Sequence, residues 1–126
     1  MEIKVAEHCG FCYGVKRAVA LAQKAATDRV QGATLGPLIH NPQLIAELAS
    51  QGIACKDSLE QFAPGETVIF RSHGVGPETY AQAEKQGLTI LDATCPNVRL
   101  AQQKAAQAAA DGYFPVIVGE KNHPEV

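Results

Sequence analysis

Cysteine and histidine, four of each, carry most of the reactive chemistry available to this 126-residue chain. Cys9-Gly10-Phe11-Cys12 has the C-x-x-C spacing used both by thioredoxin-like redox pairs and by half of a zinc site. A redox pair would place a helix directly after its first cysteine, but Gly10 and Gly14 keep this stretch loop-like until Val15. Cys12 is therefore the functional candidate and Cys9 a bystander. Cys95 lies in Asp92-Ala93-Thr94-Cys95-Pro96, where Pro96 suits the first turn of a helix. The positive end of a helix dipole favours the thiolate that metals require. An inert buried thiol at position 95 would leave the proline behind it unexplained. Cys55 sits inside a β-favouring run and reads as a small buried apolar group.

The histidines add a second kind of chemistry. His40-Asn41-Pro42 and Ser72-His73-Gly74-Val75 each join an imidazole to a small polar neighbour and a following helix. Imidazoles and backbone N–H groups at helix starts both donate to anions, phosphate among them. Gly74 and Gly76 would let the backbone approach such a ligand closely. His123 and Glu125 have the form of a proton-delivery pair, since a carboxylic acid can protonate a departing hydroxyl. The same two residues read equally well as surface groups. His8 reads as structural or solvent-facing.

Positioning these groups falls to strands and helices that alternate with little linker. Apolar runs at Ile3–Ala6, Ala33–Leu35, Ile53–Cys55, Thr67–Phe70, Leu88–Leu91 and Val116–Val118 read as strands. Val15, Ala18, Val19, Ala22 and Ala25 fall on one face of a helix over Val15–Ala26. Asn41 and Pro42 open a second helix ended by Gly52, Pro77 opens a third closed by Gly87, and Asn97–Asp111 forms a fourth stopped by Gly112. The fold class is α/β, with strands and helices alternating around a mostly parallel sheet. In such sheets the loops leaving the carboxyl ends of strands converge on one rim, where ligands bind. Cys12, Cys95, His40, His73, His123 and Glu125 are all expected there.

The bulk properties exclude several classes. A net charge of −2 gives no basic footprint for nucleic acid. No apolar stretch approaches the roughly 20 residues needed to span a bilayer. Met1-Glu2-Ile3-Lys4-Val5 is a charged strand rather than a secretory signal. Cysteines without such a signal point to a reducing compartment, the cytoplasm. His123-Pro124-Glu125-Val126 resembles the middle of a motif, so the chain reads as a fragment.

Five strings stand in one order along the chain: Gly10-Phe11-Cys12-Tyr13-Gly14-Val15-Lys16-Arg17-Ala18, His40-Asn41, Arg71-Ser72-His73-Gly74-Val75, Asp92-Ala93-Thr94-Cys95-Pro96 and His123-Pro124-Glu125-Val126. Together they resemble the 4-hydroxy-3-methylbut-2-enyl diphosphate reductases, LytB-type enzymes that end the methylerythritol phosphate route to isoprenoids. The resemblance covers the whole chain but only the amino-terminal portion of the usual enzyme. It implies a three-lobed α/β protein around a [4Fe–4S] cluster, with residues 1–95 as the first lobe and 96–126 as the opening helix and strand of a second. It implies Cys12 and Cys95 as two cluster ligands, with the family's third cysteine beyond Val126. His40 and His73 match diphosphate binders, His123 lines the same pocket, and Glu125 matches the acid that relays protons to the departing hydroxyl. The implied partners are an isoprenoid diphosphate substrate and ferredoxin or flavodoxin as electron donor.

Two other readings compete with this one. Cys9, Cys12 and Cys95 with a histidine would make a Cys₃His zinc site. Alternatively, the chain is a phosphate-binding α/β module in which the cysteines are incidental.

Overall fold

The computed structural model describes residues 1–7, 9–120, 123 and 125, so His8 lies outside the described residues. Strand β3, Thr67–Phe70, is the centre of the fold, and all four of its residues are buried. Successive side chains on a strand point to opposite faces. Ile69 accordingly joins one core cluster with Ala18, Ala22, Leu38, Leu44, Leu48 and Ile53. Val68 and Phe70 join the other, with Leu59, Phe62, Ala83 and Leu88. A strand covered on both faces needs the continuous apolar run that this one has.

Around β3 lie β1 (Gly32–Leu35), β2 (Ala54–Lys56) and β4 (Thr89–Asp92), in the order β2-β1-β3-β4. All three pairings are parallel, and the register sets Ala33 opposite both Ala54 and Val68, and Val68 opposite Ile90. Helices α1 (Tyr13–Thr27) and α2 (Pro42–Ser50) supply the cluster that holds Ile69. Helix α3 (Pro77–Lys85) supplies the opposite cluster through Ala83, with Tyr80 packed edge-on against Phe70. Gly14, Ala18, Ala22 and Ala25 form the buried stripe of α1, and their small size lets the helix lie close to its neighbours.

The helix ends follow the local signals. Asn41 caps α2, its side-chain oxygen accepting from the Leu44 N–H at 3.0 Å. Gly52 and Gly87 take positive φ after α2 and α3, and the next N–H of each turns back to Leu48 and Ala83. This is the glycine-dependent helix stop anticipated from the sequence. Helix α4 (Pro96–Ala110) differs from the rest in burying no residue. Among the described residues no helix is long and apolar enough to cross a membrane.

Three expectations need correction. Ile3–Ala6 and Val116–Val118 are not strands, and Ile3, Val5, Val116 and Val118 are largely exposed. An apolar run becomes a strand only where a neighbouring ladder accepts its backbone hydrogen bonds, and neither run has one among the described residues. Cys55 is exposed rather than buried, because β2 is an edge strand with an open face.

Candidate functional site

From β1 the chain crosses to β2 on one side, whereas β3 and β4 lie on the other. The point where the strand order reverses is therefore the β1/β3 boundary, where open parallel sheets leave a crevice at their carboxyl ends. His40 follows β1 and His73 follows β3, and their rings meet across this boundary with centroids 4.9 Å apart. His123 joins them edge-on, 6.5 Å from the His73 ring. The Glu125 N–H donates to His123 Nδ1 at 3.3 Å, so the two residues expected to act together are adjacent.

Ser72 laces these loops to each other. It is 4% exposed, and both its N–H and its hydroxyl donate to the Leu38 carbonyl, each at 3.3 Å. Its own carbonyl accepts from the Cys95 N–H at 2.9 Å. One residue thus ties the His40 loop, the His73 loop and the Cys95 loop together.

Burial is the main reason that the pKa of His73 is held below the ordinary histidine value, and the His40 charge adds to it. Arg71 and His123 push the same way, while the Glu125 carboxylate opposes them. The neutral imidazole is favoured, and its Nδ1 is buried without a hydrogen-bond partner among the described residues. Arg71 Nε and Thr94 Oγ1 are buried and unpartnered in the same sense. Unmet buried donors and acceptors are costly, so a rim that collects three of them is suited to a polar ligand. A cleft of about 720 Å³ opens beside them, lined by Arg71, Gly74, Tyr80, Gln102 and Glu125.

The sulfur groups approach the same rim by another route. Helix α1 precedes β1, and Cys12 is its N-cap residue, as Cys95 is for α4. A Cβ placed on Gly14 would collide with Cys95 Sγ, so the Cys95 thiol sits against the first turn of α1 just beyond Cys12. The backbone N–H ends of two helices thus lie beside two cysteines in neighbouring loops. This donor set fits two corners of a thiolate-held metal group. It does not complete one: among the described residues no group of three or more His, Cys, Asp or Glu could hold a metal. Among the described residues the Cys₃His zinc arrangement is not assembled, and Cys9 stands exposed on the loop before α1.

In the sequence Ser72 reads only as the polar neighbour of His73, and no role falls to Arg17 or Asp92. Gly14, expected to keep the stretch loop-like, lies instead in the first turn of α1, where its missing side chain makes room for Cys95. Asp92 carried a usable signal, since an aspartate two residues before Thr94 can turn the chain by accepting the Thr94 N–H. The roles of Ser72, Gly14 and Arg17 depend on contacts between distant segments and have no local signature.

Fold and site together define an open parallel α/β protein that gathers three imidazoles at its switch point, beside two helix-capping thiols. The chain belongs to the LytB protein family, whose model matches residues 3–126. A 4-hydroxy-3-methylbut-2-enyl diphosphate reductase from Aquifex aeolicus is 49% identical over 128 residues, covering 100% of this chain and 44% of that protein. The reductase of Geobacter sulfurreducens is 44% identical, with the same coverage of each chain. A solved structure of (E)-4-hydroxy-3-methyl-but-2-enyl diphosphate reductase, 48% identical, matches with a TM-score of 0.84 over 98% of this chain and 44% of that one. The corresponding reductase of Plasmodium falciparum, 28% identical, gives a TM-score of 0.88 over 92% of this chain and 37% of that one. The chain thus spans somewhat under half the length of these relatives.

Proposed function

We propose that this chain is the amino-terminal portion of an enzyme that reductively removes the hydroxyl of 4-hydroxy-3-methylbut-2-enyl diphosphate. Two electrons and two protons enter, the C–O bond breaks, water leaves, and isopentenyl or dimethylallyl diphosphate results. The observation that carries the reading is the His40–His73 pair at the β1/β3 switch point, laced through Ser72 to the Cys95 loop.

In this reading His40 and His73 grip the diphosphate. A polyanion beside His73 offsets the burial and the neighbouring charges that keep its imidazole neutral, so binding draws a proton onto it. His123 lines the pocket and accepts from the Glu125 N–H, holding the backbone of the residue whose carboxyl relays a proton to the departing hydroxyl. Cys12 and Cys95 would hold two corners of a [4Fe–4S] cluster, which supplies the electrons one at a time when bound. Its third cysteine comes from sequence outside these 126 residues, and ferredoxin or flavodoxin is the electron source. Residues 1–95 act as the first lobe, and 96–126 open a second.

Anaerobic reconstitution with iron and sulfide tests this proposal, using visible absorption and electron paramagnetic resonance. Joined to the remaining length typical of its relatives, the chain should take up a cluster that Cys12→Ser and Cys95→Ser abolish. The 126-residue chain alone should give no reductase turnover. A full-length protein whose cluster survives both substitutions would contradict the assignment.

A second reading, which the His40–His73 pair supports without the thiols, is a phosphate-binding module with incidental cysteines. In that case Cys12→Ser and Cys95→Ser would leave both folding and anion affinity unchanged in the full-length protein.

A further inference from the structure

We propose that Asp92 and Arg17 form a brace that positions the Cys95 thiol against the Cys12 end of α1 independently of any bound metal. The need for such a brace arises in α4. Cys95 caps this helix, yet within these 126 residues α4 buries none of its residues, so the packing they supply does not fix its amino-terminal end. Polar contacts at the end of β4 do so instead.

The Asp92 side chain is 16% exposed and receives donors from three directions. Its Oδ1 accepts from the Thr94 N–H at 2.8 Å, closing a side-chain turn that aims the backbone into Cys95. Its Oδ2 accepts from the Tyr80 hydroxyl on α3 at 2.7 Å and pairs with the Arg99 guanidinium in the first turn of α4. One carboxylate therefore joins α3, the turn and α4. Charge-assisted bonds of this kind are stronger and more directional than neutral ones.

Arg17 completes the brace from the other side. Its guanidinium reaches across from α1 to the carbonyls of Thr94 at 3.2 Å and Asp92 at 3.5 Å. Gly14 lies three residues earlier, on the same face of α1, and its missing side chain makes room for Cys95 Sγ. Helix α1 thus both holds the Asp92–Cys95 turn and leaves space for its sulfur. The remaining N–H groups of the turn are committed as well, Ala93 to the Phe70 carbonyl at 3.2 Å and Cys95 to the Ser72 carbonyl at 2.9 Å. Asp92 and Arg17 are positioning residues: they act on the thiol through the turn.

The inference rests on the proposed function only in taking Cys12 and Cys95 as neighbouring ligands. It can be tested in this chain without a cluster. In a Cys9→Ser, Cys55→Ser background, dibromobimane fluoresces once both of its arms are alkylated, and so reports how often Cys12 and Cys95 come within reach of each other. Asp92→Ala and Arg17→Ala should slow this cross-linking by about tenfold or more, because the brace supplies the effective concentration of one thiol near the other. Asp92→Asn should recover part of the rate, since its side-chain oxygen still accepts from Thr94, and Arg17→Lys should recover part through its remaining donor. Alkylation of Cys95 by monobromobimane should change little, and amide-exchange protection across Val68–Phe70 should be kept. If an alanine variant loses that protection, the milder Asn and Lys variants carry the comparison and should give intermediate rates. Unchanged cross-linking in the folded variants, or none in the parent background, would overturn the brace. Slowed cross-linking in the brace variants together with failed cluster assembly in the full-length protein would instead remove the metal assignment and leave the brace standing.

Discussion

In the proposed reading a bound anion draws a proton onto His73, whose surroundings favour the neutral imidazole. Burial and the His40, Arg71 and His123 charges hold its pKa below the ordinary histidine value of about 6.5, against the opposing Glu125 carboxylate. The unfolded chain therefore binds a proton at His73 more readily than the folded chain does. This group's contribution to stability is constant above the unfolded value and declines as the pH falls from there towards the folded pKa. Urea midpoints measured from roughly pH 7.5 down to pH 5 should fall less steeply in His73→Gln than in the parent. An identical slope would show that His73 titrates normally and is not held neutral. The chemistry-bearing residue types were readable in the sequence, and so were the loops that carry them. Their mutual distances were not, because the His40–His73 contact depends on the β1–β3 pairing rather than on any local pattern.

At the scale of elements, capping and strand pairing decide where the site residues end up. The Asn41 side chain accepts the Leu44 N–H and so fixes the start of α2 immediately after His40. Asn41→Ala should cost about 1 kcal/mol in urea unfolding and should also weaken the His40–His73 contact, seen as altered ring-proton shifts at both histidines. A loss of stability with unmoved histidine shifts would show that the cap supports α2 without supporting the site. Helix boundaries were legible because proline starts, glycine stops and a stripe of small residues are local signals; α1 runs Tyr13–Thr27 where the spacing marked Val15–Ala26. Strand status was less legible. Thr67–Phe70 and Val116–Val118 are both β-favouring apolar runs, but among the described residues only the first has partners, on both of its sides. Cys55 illustrates the same limit, since composition does not reveal whether a strand lies at an edge.

At the scale of the whole molecule, the described residues form a sheet with the candidate site on one rim. Four parallel strands direct their carboxyl ends to the same side, and two loops at the β1/β3 reversal bring imidazoles together. The loop after β4 carries Cys95 to the start of α1, and Ser72 links it to the histidine loops. Anion binding and thiol placement are therefore proposed as properties of one connected surface. A nuclear magnetic resonance titration with inorganic pyrophosphate tests this most directly, following the ring protons of His40 and His73 and the amide of Cys95. All three signals should move with one binding curve, and the apparent pKa of His73 should rise as the anion saturates the site. His40→Gln or His73→Gln should weaken that curve. Unmoved histidine signals, or shifts that persist undiminished in both substitutions, would contradict the account.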